Sequence, residues 1–128
     1  MKPDKVSIPD WEILKKKYHN NLDEIINKIN TNYPVQYLIG NVEFLNTIID
    51  VDERVLIPRF ETEGLVDKTI GYAKKIFNKQ INIIDLGTGS GCISIALKKN
   101  LDCNVTGIDV SKSTIDLAKH NAKQNNVT

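Results

Sequence analysis

Ile83-Ile84-Asp85-Leu86-Gly87-Thr88-Gly89-Ser90-Gly91, followed after a helical stretch by Val105-Thr106-Gly107-Ile108-Asp109, is the part of the sequence that decides the fold. An apolar β-strand delivers a glycine-rich turn to the start of a helix, and a carboxylate closes the next strand. In open α/β sheets, ligands are met at such strand ends and at the helix N-terminus beside them. The glycine spacing narrows the choice of ligand. A dinucleotide fingerprint, G-x-G-x-x-G, would put its last glycine at Cys92, whereas here the glycines fall at Gly87, Gly89 and Gly91.

That G-x-G-x-G spacing favours S-adenosylmethionine over NAD, and each residue type has a physical reason to be there. Gly87 and Gly89 permit positive φ and a close backbone approach that a Cβ would block, and Gly91 permits a tight start to the helix. The free N–H groups and partial positive charge of the helix N-terminus suit the carboxylate of a methionine moiety better than a pyrophosphate. Asp109 can accept both hydroxyls of a ribose. Asp85 either orients the turn or meets the donor's ammonium through water. A plain tight connection between strand and helix would also use glycines, but it does not require an acidic end on the next strand. The candidate cofactor-binding set is therefore Asp85, Gly87, Thr88, Gly89, Ser90, Gly91 and Asp109, with S-adenosyl-L-methionine as cofactor.

The 128 residues amount to about one domain. Lys plus Arg (17) nearly balance Asp plus Glu (16), so no strong field draws the chain to nucleic acid or an anionic membrane. Lys15-Lys16-Lys17 reads as the solvated face of a helix. No apolar run reaches the roughly 18 residues of a membrane span, and Asp4, Pro9 and Asp10 interrupt any signal-peptide core, so a cytoplasmic location is expected. Cys92 and Cys103 lack metal-ligand spacing and read as small core thiols. His19 and His120 read as surface residues, and no metal site is expected.

Three segments are expected: a helical segment 1–34, a linker with a β-hairpin 35–60, and the first half of a methyltransferase domain 61–128. Trp11, Leu14, Tyr18, Leu22, Ile25 and Ile29 recur at steps of three and four, which predicts one long amphipathic helix ended by Tyr33-Pro34. Its stripe needs a partner surface. β-rich runs on either side of Asn46 predict the hairpin. Leu56 to Glu63 reads as a proline-bounded loop, feeding a helix whose buried positions include Leu65, Val66, Ile70, Ala73 and Phe77. From Ile81 the order becomes βαβα: a strand to Leu86, a helix from about Gly91 to Lys99, a strand from Asn104 to Asp109, and a helix capped by Ser111 and running to about Lys123. The fold class is thus α/β, a class I S-adenosylmethionine-dependent methyltransferase with a partial parallel sheet of Rossmann-like form.

Pro34-Val35-Gln36-Tyr37-Leu38-Ile39-Gly40, Glu43-Phe44 and Val55-Leu56-Ile57-Pro58-Arg59-Phe60-Glu61-Thr62-Glu63, taken with the glycine turn, resemble the HemK/PrmC family of peptide chain release factor glutamine methyltransferases. The likeness runs from about Asp10 to Thr128. It implies methylation of the side-chain amide nitrogen of the glutamine in the Gly-Gly-Gln motif of bacterial class 1 release factors, which would be the protein partner. It also implies that Arg59, Glu61 and Thr62, in the segment matching the family's Pro-Arg-Pro-Glu-Thr-Glu loop, close over the methionine side or the substrate pocket. The alternative for these three is local: Thr62 or Glu61 caps a helix and Arg59 pairs nearby.

Two departures from the family pattern matter. Phe60 stands where the family has proline, removing a fixed φ. The family's catalytic Asn-Pro-Pro-Tyr does not occur in the sequence, so no catalytic residue is assigned within this chain. An amide nitrogen becomes more positive as it attacks a methyl group, and it needs acceptors aimed at its NH₂. In the family the Asn side chain and a Pro carbonyl supply them. The chain is therefore expected to hold the cofactor half of the enzyme, to be inactive alone, and to self-associate through an unpaired apolar sheet edge. Competing readings are an adenine amino-group methyltransferase, a ribosomal-protein glutamine methyltransferase, and a non-catalytic adenosylmethionine-binding fragment.

Overall fold

A computed structural model describes residues 1–128, which form two compact units, Met1–Asn41 and Val42–Thr128. The first holds three helices, α1 (Ile8–Lys17), α2 (Leu22–Asn30) and α3 (Val35–Ile39). The single long helix expected from the apolar spacing is therefore broken in two. Tyr18-His19-Asn20-Asn21 forms a turn, with the Asn21 N–H donating to the Tyr18 carbonyl at 3.0 Å. Asparagine side chains compete with the helix for backbone groups, and the three-to-four spacing continues across the break because both helices face one core.

Pro34 does not end the second helix. That end is a Schellman arrangement three residues earlier, in which Asn32 takes φ 68° and the N–H of Tyr33 returns to the Lys28 carbonyl at 3.0 Å. Pro34 instead precedes α3, and Gly40 closes that helix at φ 97°. The stripe finds its partner within the same unit: Val6, Trp11, Leu14, Ile25, Ile29 and Leu38 form one buried cluster. Lys17 is not a freely solvated charge, because its Nζ donates to the Leu38 and Ile39 carbonyls at 2.9 and 3.0 Å, at the C-terminus of α3.

β1 (Asn41–Phe44), which begins at the last residue of the first unit, and β2 (Thr47–Asp50) form the expected hairpin. Leu45 and Asn46 both take positive φ, 44° and 63°, as a two-residue turn of primed type demands. The Leu45 N–H donates to Glu63 Oε1 at 3.2 Å, which helps hold a backbone shape that leucine disfavours.

Helix α4 (Phe60–Ile76) begins inside the segment expected to be loop and buries Val66, Ile70 and Ala73. Leu65 and Phe77, expected in the core, are exposed. β3 (Ile81–Leu86) and β4 (Cys103–Ile108) pair in parallel, with Leu86 opposite Ile108. α5 (Cys92–Asn100) packs on β4, and α6 (Lys112–Gln124) contacts both α5 and β2. The expected α/β arrangement is thus present, with its two parallel strands meeting at the glycine turn. The other face of those strands leaves Ile84 and Leu86 65% and 78% exposed.

Candidate functional site

Where β3 ends, the chain is pinned at once to the end of β4. The N–H groups of Gly87 and Thr88 both donate to the Ile108 carbonyl, at 2.8 and 2.9 Å. The three glycines then take φ of 74°, 56° and 84°, a region costly for any residue with a Cβ. They differ in what surrounds them. A Cβ on Gly87 or Gly89 would meet nothing within 4 Å, so these two present bare backbone to open space. A Cβ on Gly91 would lie 3.3 Å from both Ala118 Cβ and Ile95 Cδ1, so that glycine lets α5 start close against α6.

Two carboxylates hold the turn. Asp85 Oδ2 accepts from Thr88 Oγ1 at 2.9 Å and from Ser94 Oγ at 2.8 Å, and those hydroxyls lie 3.1 Å apart. Asp85 thus bonds within the turn and the first turn of α5. Asp109, just past β4, accepts the Gly89 N–H at 3.0 Å on Oδ2 and the Ser111 N–H at 3.3 Å on Oδ1. Each carboxylate oxygen has a second acceptor site, so a pair of vicinal hydroxyls can still be received by this group.

The turn is also built on residues that the motif does not name. Ser94 lies within the first turn of α5, and a hydroxyl there, just after the glycines, is its only mark in the sequence. Gly107 reads as an ordinary strand residue, yet a Cβ there would come within 2.8 Å of Thr88 Oγ1. It is small because the Thr88 side chain lies against β4.

The proline-bounded segment is placed differently. Arg59 is the residue before α4, with extended φ −98° and ψ 146°, and no side chain caps the helix. The Thr62 N–H instead donates to the Arg59 carbonyl at 3.0 Å. Glu61 and Glu63 sit in the first helical turn, where negative charge is favoured by the helix dipole. No hydrogen bond or ion pair ties Arg59, Glu61 or Thr62 to the glycine turn. Phe60, the departure from the family pattern, is exposed at the first helical position.

Cys92 and Cys103 are buried free thiols, and burial pushes both above the ordinary thiol range. His19 is exposed, and His120 Nε2 lies 2.7 Å from Asp50 Oδ2 on the surface.

A family model described as a methyltransferase domain matches residues 77–128, from β3 through α6. A release factor glutamine methyltransferase of Streptococcus pneumoniae is 38% identical over 117 residues, 91% of this chain and 41% of that protein. Proteins of the same name from Flavobacterium psychrophilum and Leptospira interrogans are 37% and 42% identical, over 99% and 88% of this chain and 41% and 39% of their own lengths. The chain thus spans about two fifths of the length of the curated relatives it matches. A methyltransferase-domain match over the βαβα segment and this degree of identity across both units agree with the resemblance of the chain to the HemK/PrmC family of methyltransferases.

Proposed function

We propose that this chain carries the methyl-donor site of a release factor glutamine methyltransferase. The observation that supports it best is the pairing of bare backbone at Gly87 and Gly89 with the Asp109 carboxylate, across one 3.0 Å hydrogen bond. The residues fit S-adenosylmethionine: Asp109 would receive the ribose hydroxyls, and the start of α5 would face the methionine carboxylate. When bound, that group supplies an electrophilic methyl on a sulfonium. The chain's own part is to orient the donor. Asp85, Thr88 and Ser94 fix the turn so that the donor meets a preformed surface.

The acceptor in this reading is the glutamine of a release factor Gly-Gly-Gln motif. The relatives' names and the Pro34 to Glu63 signature support it, and Arg59, Glu61 and Thr62 would border the donor's methionine end or the incoming glutamine. Because no Asn-Pro-Pro-Tyr occurs in the sequence, the chain alone would bind donor without transferring methyl.

A chimera tests the substrate. This chain replaces the aligned 117-residue segment of the Streptococcus pneumoniae relative, and transfer of labelled methyl to a release factor is followed. Incorporation that disappears when the Gly-Gly-Gln glutamine is replaced by alanine is expected. A chimera that binds donor yet leaves the release factor unlabelled, while the unaltered relative labels it, would contradict the proposal.

A further inference from the structure

Helix α6 carries two buried asparagines one turn apart, and both serve the same edge of β2. Asn121 Oδ1 accepts from the Asp50 N–H at 2.9 Å while its Nδ2 donates to the Asp50 carbonyl at 3.0 Å. Asn125 repeats this two residues along the strand, accepting from the Ile48 N–H at 3.2 Å and donating to the Ile48 carbonyl at 2.9 Å. A primary amide presents a donor and an acceptor side by side as a peptide does, so α6 satisfies this edge as a neighbouring strand would.

The two asparagines differ at their remaining Nδ2 proton. In Asn125 it returns to the carbonyl of Asn121, within the helix, at 2.9 Å. In Asn121 it reaches the Ser90 carbonyl at 2.9 Å, inside the glycine turn. Asn121 is 0% exposed, so no solvent replaces that bond if it is lost. Ser90 itself lies between Gly89 and Gly91, two residues with little conformational preference of their own. The carbonyl between them is therefore oriented from outside the turn.

We infer that Asn121 is a positioning residue for the methyl-donor turn. It fixes the Ser90 peptide against the hairpin, so that the turn is ordered before the donor arrives and its ordering does not weaken binding. This rests on the reading of the turn as the donor site. Asn125 supplies the internal comparison, because it grips the same strand without touching the turn.

The test compares Asn121→Ala and Asn125→Ala in the 128-residue chain by residue-resolved hydrogen exchange and by calorimetry with S-adenosylmethionine. Asn121→Ala is expected to speed exchange of the Gly89 and Gly91 amides by about 10-fold or more and to weaken donor binding by about as much. Asn125→Ala, at a similar loss of thermal stability, should leave both within about 2-fold of the native chain. Asn121→Asp keeps the acceptor for the Asp50 N–H but loses the donor to Ser90, and should behave as the alanine variant does. Equal effects of Asn121→Ala and Asn125→Ala on the turn would overturn the inference. If neither Asn121 variant folds, the native chain decides through the scalar coupling across the bond from Asn121 Nδ2 to the Ser90 carbonyl carbon, whose absence would also overturn it. A native chain that binds no donor would refute the methyl-donor reading, while the exchange contrast would still decide whether Asn121 orders the turn.

Discussion

The three glycines of the turn belong to one motif but do different jobs, and substitution should separate them. Gly91→Ala forces a Cβ into both a positive φ and the 3.3 Å gap to Ala118 and Ile95. It should destabilise the fold by about 2–4 kcal/mol, read by urea denaturation. Gly89→Ala meets no neighbour and should cost only about 1–2 kcal/mol, while placing a methyl group where the donor is proposed to lie. Gly107→Ala drives a Cβ to within 2.8 Å of Thr88 Oγ1 and 3.1 Å of Thr88 Cγ2. It should therefore disturb the Asp85, Thr88 and Ser94 network, visible as shifted Thr88 and Ser94 resonances. The glycine spacing made the turn legible in the sequence. Gly107 and Ser94 were not legible, because their roles depend on which side chain crosses the strand, and spacing carries no information about that. The two thiols give a further check at this scale. Burial raises both, so less thiolate is present at any given pH and alkylation at pH 8 should be slow in the native chain and fast after denaturation. Fast native labelling would contradict their burial.

Among the elements, those with a defined start in the sequence were the easiest to read. Ser111 caps α6 by accepting the Thr114 N–H at 3.4 Å, whereas Ser7, which caps α1 by accepting the Asp10 N–H at 3.2 Å, lies ahead of the apolar spacing that marks the helix. Ser111→Ala should cost about 0.5–1 kcal/mol in thermal unfolding, at the low end for a cap because the bond is long. The hairpin was legible from its two β-rich runs, and the βαβα order from its alternation of period. The break between α1 and α2 was not, because an apolar stripe at helical spacing continues through a turn whenever both helices face one core. The start of α4 is hidden in the sequence for a related reason. Pro58 marks the end of extended chain, but nothing in Arg59-Phe60-Glu61-Thr62 distinguishes loop from first helical turn, and no side chain caps it. Leu65 and Phe77 fit the periodicity yet face outward, since a pattern identifies a stripe without saying what covers it.

For the whole molecule, the sheet is the feature that asks for more structure around it. Ile84, Leu86 and Ile108 are 65%, 78% and 46% exposed on two paired strands, an apolar face of the kind that associates. Sedimentation of the isolated chain should show concentration-dependent self-association that Leu86→Lys reduces, whereas a monodisperse monomer at all concentrations would contradict this. The bare turn facing Asp109 is tested most directly by calorimetric titration. S-adenosylmethionine should bind the native chain saturably and NAD should not, with Asp109→Ala weakening the donor by about 10-fold or more through loss of charge-assisted hydrogen bonds. Donor affinity unchanged in Asp109→Ala, or no donor binding by a folded native chain, would contradict the account.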